Sequence, residues 1–312
     1  MRYSTFAVLA ALVTSPAAFA GACGDQPGTR ELTLPVRVLT EHLEAIGGLQ
    51  ARNFRLKQGR KPLAICGVSH AIQPTSVGIL LDTSGSMLGV YQSGPRMMEA
   101  AVSRMLDISR DDDEYFLEYV NDVAHMQCLF SCDRQRIRNG LKVNPKGKTA
   151  LIDGLYLALH GMSKAHRANR ALVLISDCGD NNSLYNLGEL QKALAEGPVP
   201  IFLMAPSTGI FDWRPQRSVI PEEFAAFDFT KLVSRSGGYT VIARNPPGAE
   251  AAIAHMVMVM RAPYELSFAV PVRQDIRSLH GLSVEVTGVH PAPSAFYGIV
   301  HDTKSGEAYA FR

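Results

Sequence analysis

The 312-residue chain has almost no charge imbalance: 31 Lys and Arg stand against 29 Asp and Glu. A balance so close to neutral argues against a dedicated nucleic-acid binder. Long apolar runs are missing after residue 20. The nearest, Ala251 to Met260, is short, contains His255 and ends at Arg261, so it does not span a bilayer. Several chemical motifs are absent. No His-Glu-x-x-His or Cys-x-x-Cys pair occurs, no Gly-x-Ser-x-Gly elbow, and no glycine-rich phosphate loop followed by Lys. The nine His are scattered. His160 and His166 do not share a helix face and read as solvated surface. The acidic run Asp111 to Glu114 lacks the spaced ligands of a calcium loop and reads as a solvated turn before a strand. The single Trp, Trp213, lies in Ile210-Phe211-Asp212-Trp213-Arg214-Pro215. It either rims a site or packs down an irregular loop.

Residues 1–20 carry one charge, Arg2, then the apolar Phe6 to Val13 and the small-x-small site Ala18-Phe19-Ala20. They read as a secretory signal, which implies a secreted or periplasmic protein. Cys23 raises the alternative of a lipid anchor, although the residue three before it is Ala and not Leu. In an oxidising compartment the five cysteines, Cys23, Cys66, Cys128, Cys132 and Cys178, imply disulfides with one thiol left over. Two bridges are expected, with Cys128 or Cys132 in one of them. Cys128 and Cys132 form either a bridge or half of a metal site.

The pattern changes twice along the chain. Residues 21–74 are β in character. Glu31 to Leu39 alternates in part and holds Pro35, which predicts an edge strand. Gln58-Gly59-Arg60-Lys61 predicts a hairpin turn between Phe54-Arg55-Leu56 and Leu63 to Cys66. Residues 75–262 alternate strands with helices. Strands are predicted at Val77 to Leu81, Glu114 to Asn121, Val123 to Ser131, Ala171 to Ser176, Val199 to Ala205 and Tyr239 to Ala243. Helices are predicted at Arg96 to Ser109, Ala150 to Ala165, Leu187 to Ala195, Phe227 to Ser234 and Ala249 to Met260, with a short one capped by Asp133. Such alternation predicts a Rossmann-like α/β fold, a mostly parallel sheet with helices on both faces. Residues 263–312 return to β character. Neither flanking β segment can build a core alone, so the two are expected to pair into a small sandwich with the α/β unit inserted between them.

The most informative stretch is Asp82-Thr83-Ser84-Gly85-Ser86, directly after a buried strand. Alternate residues of an extended segment point the same way, so Asp82, Ser84 and Ser86 can converge. Three hard oxygen donors suit a magnesium-like cation. The same residue types also make ordinary turns and helix N-caps. Distant segments shift the balance: Thr149 precedes a helix, and Asp177 ends a strand. In open parallel sheets ligands bind beyond the carboxyl ends of strands.

Asp-x-Ser-x-Ser, a Thr about 65 residues on and an Asp about 30 after that resemble the metal-ion-dependent adhesion site of von Willebrand factor A domains. The flanking segments resemble, more loosely, an exported bacterial subfamily of these domains. The resemblance implies that Ser84, Ser86 and Thr149 offer hydroxyls to Mg²⁺ (or Mn²⁺ or Ca²⁺), with Asp82 and Asp177 acting directly or through water. It implies a protein partner whose carboxylate completes the coordination. Where the family often has Ser-Asp-Gly, this chain has Ser176-Asp177-Cys178, and Cys178 is either a disulfide partner or a small buried residue. A Mg²⁺-dependent hydrolase or phosphoryl-transfer enzyme is the alternative. It lacks the second Asp of an Asp-x-Asp pair, since position 84 is Ser, and shows no general base near Asp82.

Overall fold

The computed structural model describes residues 27–40, 45–88, 93–206, 226–261, 263–275, 279, 281–290, 294–296, 299–302 and 308–310. Residues 1–20, read above as a signal, Cys23 and the Trp213 segment lie outside the described residues.

The N-terminal strands are β1 (Thr29–Leu39), β2 (Phe54–Gln58), β3 (Lys61–Leu63) and β4 (Ile65–His70). The hairpin between β2 and β3 turns at Gly59, whose φ of 59° suits glycine. Leu63 ends one strand and Ile65 begins another in a different sheet, so the single strand expected from Leu63 to Cys66 is divided.

The central region runs β5 (Thr75–Asp82), α1 (Ser93–Asp107), β6 (Glu114–Val120), β7 (Ala124–Cys128), α2 (Arg134–Gly140), α3 (Leu151–Met162), β8 (Asn169–Ile175), α4 (Leu187–Glu196), β9 (Ile201–Pro206), α5 (Ala226–Arg235), β10 (Thr240–Ala243) and α6 (Pro246–Arg261). Its six strands form one sheet in the order β10-β9-β8-β5-β6-β7. All pairings are parallel except that of β7 with β6. The strand order reverses between β5 and β8. Every residue of β5 is buried. Its Val77, Ile79 and Leu81 face α1 and α6, whereas Leu80 faces α3 and α4. Gly78 leaves room for the Phe116 ring, which a Cβ would meet at 2.3 Å. As expected, the Asp133 carboxylate caps α2, accepting from Arg136 N–H at 2.6 Å.

The C-terminal strands are β11 (Tyr264–Pro271), β12 (Leu282–Val286), β13 (Ser294–Phe296), β14 (Ile299–Asp302) and β15 (Ala308–Ala310). They pair with the N-terminal ones: β11 with β1 and β4, and β12 with β2. Leu32, Leu34 and Val36 of β1, Phe54 and Leu56 of β2, Phe268 of β11 and Leu282 of β12 share one apolar cluster. The edge-strand expectation for residues 31–39 is overturned, because β1 lies between β14 and β11. Its proline is tolerated because β14 pairs only with Leu32 and Thr33, and β13 only with Arg37 to Leu39. That flank is open at Pro35, where a missing N–H costs no ladder bond.

The acidic turn is not simply solvated. Asp113 is fully buried as a side chain, pairs with Arg261 at the end of α6, and accepts the Thr75 N–H at 2.9 Å. It ties the start of β5 to the last helix. Cys128 and Cys132 form a disulfide, Cys66 is also disulfide-bonded, and Cys178 is a free, buried thiol. Among the described residues no helix is long and apolar enough to cross a membrane.

Glu118 is a buried exception within β6. It is fully buried beneath the first turn of α3, and neither carboxyl oxygen has a hydrogen-bond partner. Burial pushes its pKa from 4.5 up to about 9. Across that window the folded carboxyl keeps its proton while the unfolded one has lost it. Unfolding therefore releases a proton, and stability falls as pH rises from 4.5 to about 9. Urea denaturation should show this decline in the native protein and a flatter profile in Glu118→Gln; matching slopes would remove the assignment.

Candidate functional site

Asp82 ends β5 at the point where the strand order reverses, with β6 on one side and β8 on the other. It is fully buried, and both its oxygens are engaged. Ser84 N–H donates to Oδ1 at 2.9 Å, and the Ser176 hydroxyl donates to Oδ2 at 2.6 Å. The Ser176 oxygen in turn accepts the Cys178 N–H at 2.8 Å. Burial pushes the Asp82 pKa up to about 6, and the nearby charge of Asp177 adds to the rise. The Ser84 and Ser86 hydroxyls lie 3.1 Å apart, as convergence of alternate side chains requires.

Asp177 lies two residues beyond the end of β8. Its Oδ1 accepts the Gly179 N–H at 3.3 Å, while Oδ2 is buried with no hydrogen-bond partner. Thr149 is buried just ahead of α3. As expected it precedes the helix, with Ala150 at the N-cap position between them. Its backbone is committed elsewhere: Thr149 N–H donates to Asn181 Oδ1 at 2.9 Å, and its carbonyl accepts the N–H groups of Asn181 and Asn182 at 2.9 and 3.0 Å. The loop before α3 is thus clamped to the loop after β8.

A second clamp joins the same loop to the one after β5. Lys146 N–H donates to the Thr83 carbonyl at 2.9 Å, and Gly85 N–H to the Gly147 carbonyl at 3.0 Å. Gly147 has a φ of 77°, and a Cβ there would strike the Asp122 carboxylate at 2.3 Å. Asp122 fastens this junction. Its Oδ1 accepts Lys148 N–H at 2.8 Å, and its carbonyl accepts the Asn182 side-chain amide at 2.7 Å. All three loops carrying Asp82, Thr149 and Asp177 are therefore bound to one another.

Sequence reasoning did not identify Ser176, Asp122, Asn181 or Asp180, which accepts the Ile152 N–H at the start of α3 at 2.8 Å. Ser176 alone left a trace, a polar residue closing an otherwise apolar strand. The other three act through backbone contacts between distant loops, which leave no local pattern.

The structure brings the Ser84 and Ser86 hydroxyls together and sets Asp177 near Asp82, while among the described residues no group of three His, Cys, Asp or Glu gathers to hold a metal. A set rich in hydroxyls suits a hard divalent cation and not a thiolate or imidazole metal. The unpartnered Asp177 Oδ2 is the oxygen such an ion would satisfy, since a lone buried carboxylate oxygen is costly.

No family model and no curated protein matches the chain. Solved structures do resemble it. BatB from Bacteroides thetaiotaomicron has a TM-score of 0.46 and 24% identity over 60% of this chain and 98% of its own. A von Willebrand factor type A structure from Catenulispora acidiphila has a TM-score of 0.47 and 12% identity over 86% of this chain and 73% of its own. Proximal thread matrix protein 1 from the mussel byssus, with zinc in its MIDAS motif, has a TM-score of 0.49 and 15% identity over 65% of this chain and 50% of its own.

Cys178 is the one non-glycine residue with positive φ among those described, at 67°. Its thiol is buried, and burial beside Asp177 and Asp82 pushes its pKa far up, so it remains protonated. The left-handed backbone explains why glycine suits this position. Cys178→Gly should exceed Cys178→Ala in urea-denaturation stability by about 1 kcal/mol, the cost of the left-handed conformation to a Cβ. A glycine variant no more stable than the alanine variant removes that assignment.

Proposed function

We propose that the chain is an exported, divalent-metal-dependent binding module. In this reading residues 75–262 carry the metal site, and the paired flanking β segments form its platform. Ser84, Ser86 and Thr149 supply hydroxyls to Mg²⁺, or to Mn²⁺ or Ca²⁺ in its place, and Asp82 and Asp177 supply charge directly or through water. A carboxylate of a partner protein occupies the exposed coordination position. The observation that carries the reading is the buried, unpartnered Asp177 Oδ2 next to Asp82, with the two serine hydroxyls 3.1 Å apart. When bound, the ion supplies a concentrated positive charge that recruits an acidic ligand.

A binding role is favoured over catalysis because position 84 is Ser, which leaves Asp82 without the second Asp of an Asp-x-Asp pair. Export is read from the signal pattern of residues 1–20.

Calorimetric titration of the metal-free protein with Mn²⁺ should reveal one site per chain. Asp82→Ala and Ser84→Ala should each weaken it by about tenfold or more, as loss of a charged or liganding oxygen does. Asp177→Asn should also weaken it, with the far-UV spectrum unchanged. A partner recovered from the exported fraction with Mg²⁺ should be released by chelator, and retention of that partner in excess EDTA would sink the metal-bridge reading.

A further inference from the structure

At the opposite edge of the large sheet lies a cleft of about 750 Å³. It sits where β8 and β9 begin, facing the outer surface of β1. Strand alternation divides β1 cleanly: Leu32, Leu34 and Val36 enter the small core, while Thr33, Pro35 and Arg37 line the cleft. Arg37 is only 5% exposed. Its Nη1 reaches the Gly237 carbonyl at 3.5 Å, which is too long for a strong bond. Its Nε has no hydrogen-bond partner, and among the described residues no carboxylate pairs with it. The guanidinium carbon lies 5.4 Å from the centre of the Phe202 ring. Burial lowers its pKa to about 10, so it stays charged at neutral pH.

A buried cation without a counter-charge is costly, by several kcal/mol in typical cases. Evolution of an ordinary interior would replace it with an apolar residue. Its presence on the wall of an open cleft calls for an anion from outside. The facing wall carries Arg167, whose Nε is also buried and unpartnered, and Arg170. Two acids share the lining, Glu196 and Glu265, and Glu265 already accepts the Gln73 side-chain amide at 3.0 Å. Arg167 is also within electrostatic reach of Asp112, and the Arg170 guanidinium donates to the Arg167 and Ala165 carbonyls at 3.3 and 3.4 Å, so Arg37 is the lining cation left for a ligand, which suits a single carboxylate better than a dianion. Leu159 and Met162 add an apolar wall. The volume falls within the range of small-molecule sites, about 300–1,000 Å³.

We propose that this cleft binds an organic monocarboxylate, with its carboxylate on the Arg37 guanidinium and its apolar body against Leu159 and Met162. The fork of arginine donors fits a planar carboxylate in two-pronged fashion. The site is separate from Asp82 and the proposed metal, so it does not rest on that reading.

The test is calorimetric titration of octanoate into the full protein, in buffer stripped of divalent ions, with octanamide and inorganic phosphate as controls. Octanoate is expected to bind, octanamide and phosphate to bind about tenfold more weakly or not at all, as loss of a charge-assisted contact implies. Arg37→Gln should lose about tenfold in octanoate affinity. Because Arg37 is buried, Arg170→Gln on the exposed wall provides a second variant that should weaken binding by several-fold. Absence of octanoate binding to the native protein at about 1 mM, equal binding of octanamide, or unchanged affinity in both arginine variants would each overturn the proposal.

Discussion

The candidate site depends on one buried carboxylate at a strand end. Asp82 sits with no exposed surface at the reversal of strand order, where β5 gives way to loops on both sides. A charge there needs donors, and the fold supplies Ser84 N–H locally and the Ser176 hydroxyl from the neighbouring strand end, 94 residues on from Asp82. The hydroxyl donor is itself held by Cys178 N–H, which bends the chain into a left-handed turn at Cys178. The position of Asp177 follows from that turn. One buried group thereby places the loops after both β5 and β8.

The third loop is placed by backbone groups. Thr149 and Gly147 bond to residues after β8 and after β5, and Asp122 closes the junction. A loop so fastened presents its side chains with little conformational freedom, so less ordering remains to be done when a ligand arrives. The opposite edge of the sheet shows a complementary arrangement. There a buried arginine, not an aspartate, faces a cleft, and among the described residues no carboxylate pairs with it. The two edges thus present opposite chemistry, oxygen donors at the C-terminal ends of the strands and guanidinium groups at the N-terminal ends.

Much of this was legible in the residues. The apolar run before Asp82, the helical spacing of Met97, Ala101 and Met105, and the cap at Asp133 all marked elements that the fold contains. The spacing of Asp82, Ser84 and Ser86 also implied the close approach of the two hydroxyls. Other expectations failed for reasons of long range. Pro35 suggested an edge, but strands from the far end of the chain flank β1 and leave a gap at that residue. The acidic turn looked solvated, but Arg261, remote in sequence, buries Asp113. Asp122 and Asn181 were invisible because their roles are contacts between loops.

What the sequence alone determined is local: where strands and helices lie, which faces are apolar, and which oxygen-bearing side chains stand at element ends. These follow from periodicity and from the stereochemistry of a few neighbouring residues. Tertiary structure decided the rest. It chose which strand ends meet, left Asp177 Oδ2 without a partner, assigned Cys178 a backbone that favours glycine, and brought β1 against the large sheet so that Arg37 lines a cleft. Those outcomes depend on parallel pairing and on crossovers between segments far apart in the chain, and no local pattern encodes the distance between two such segments.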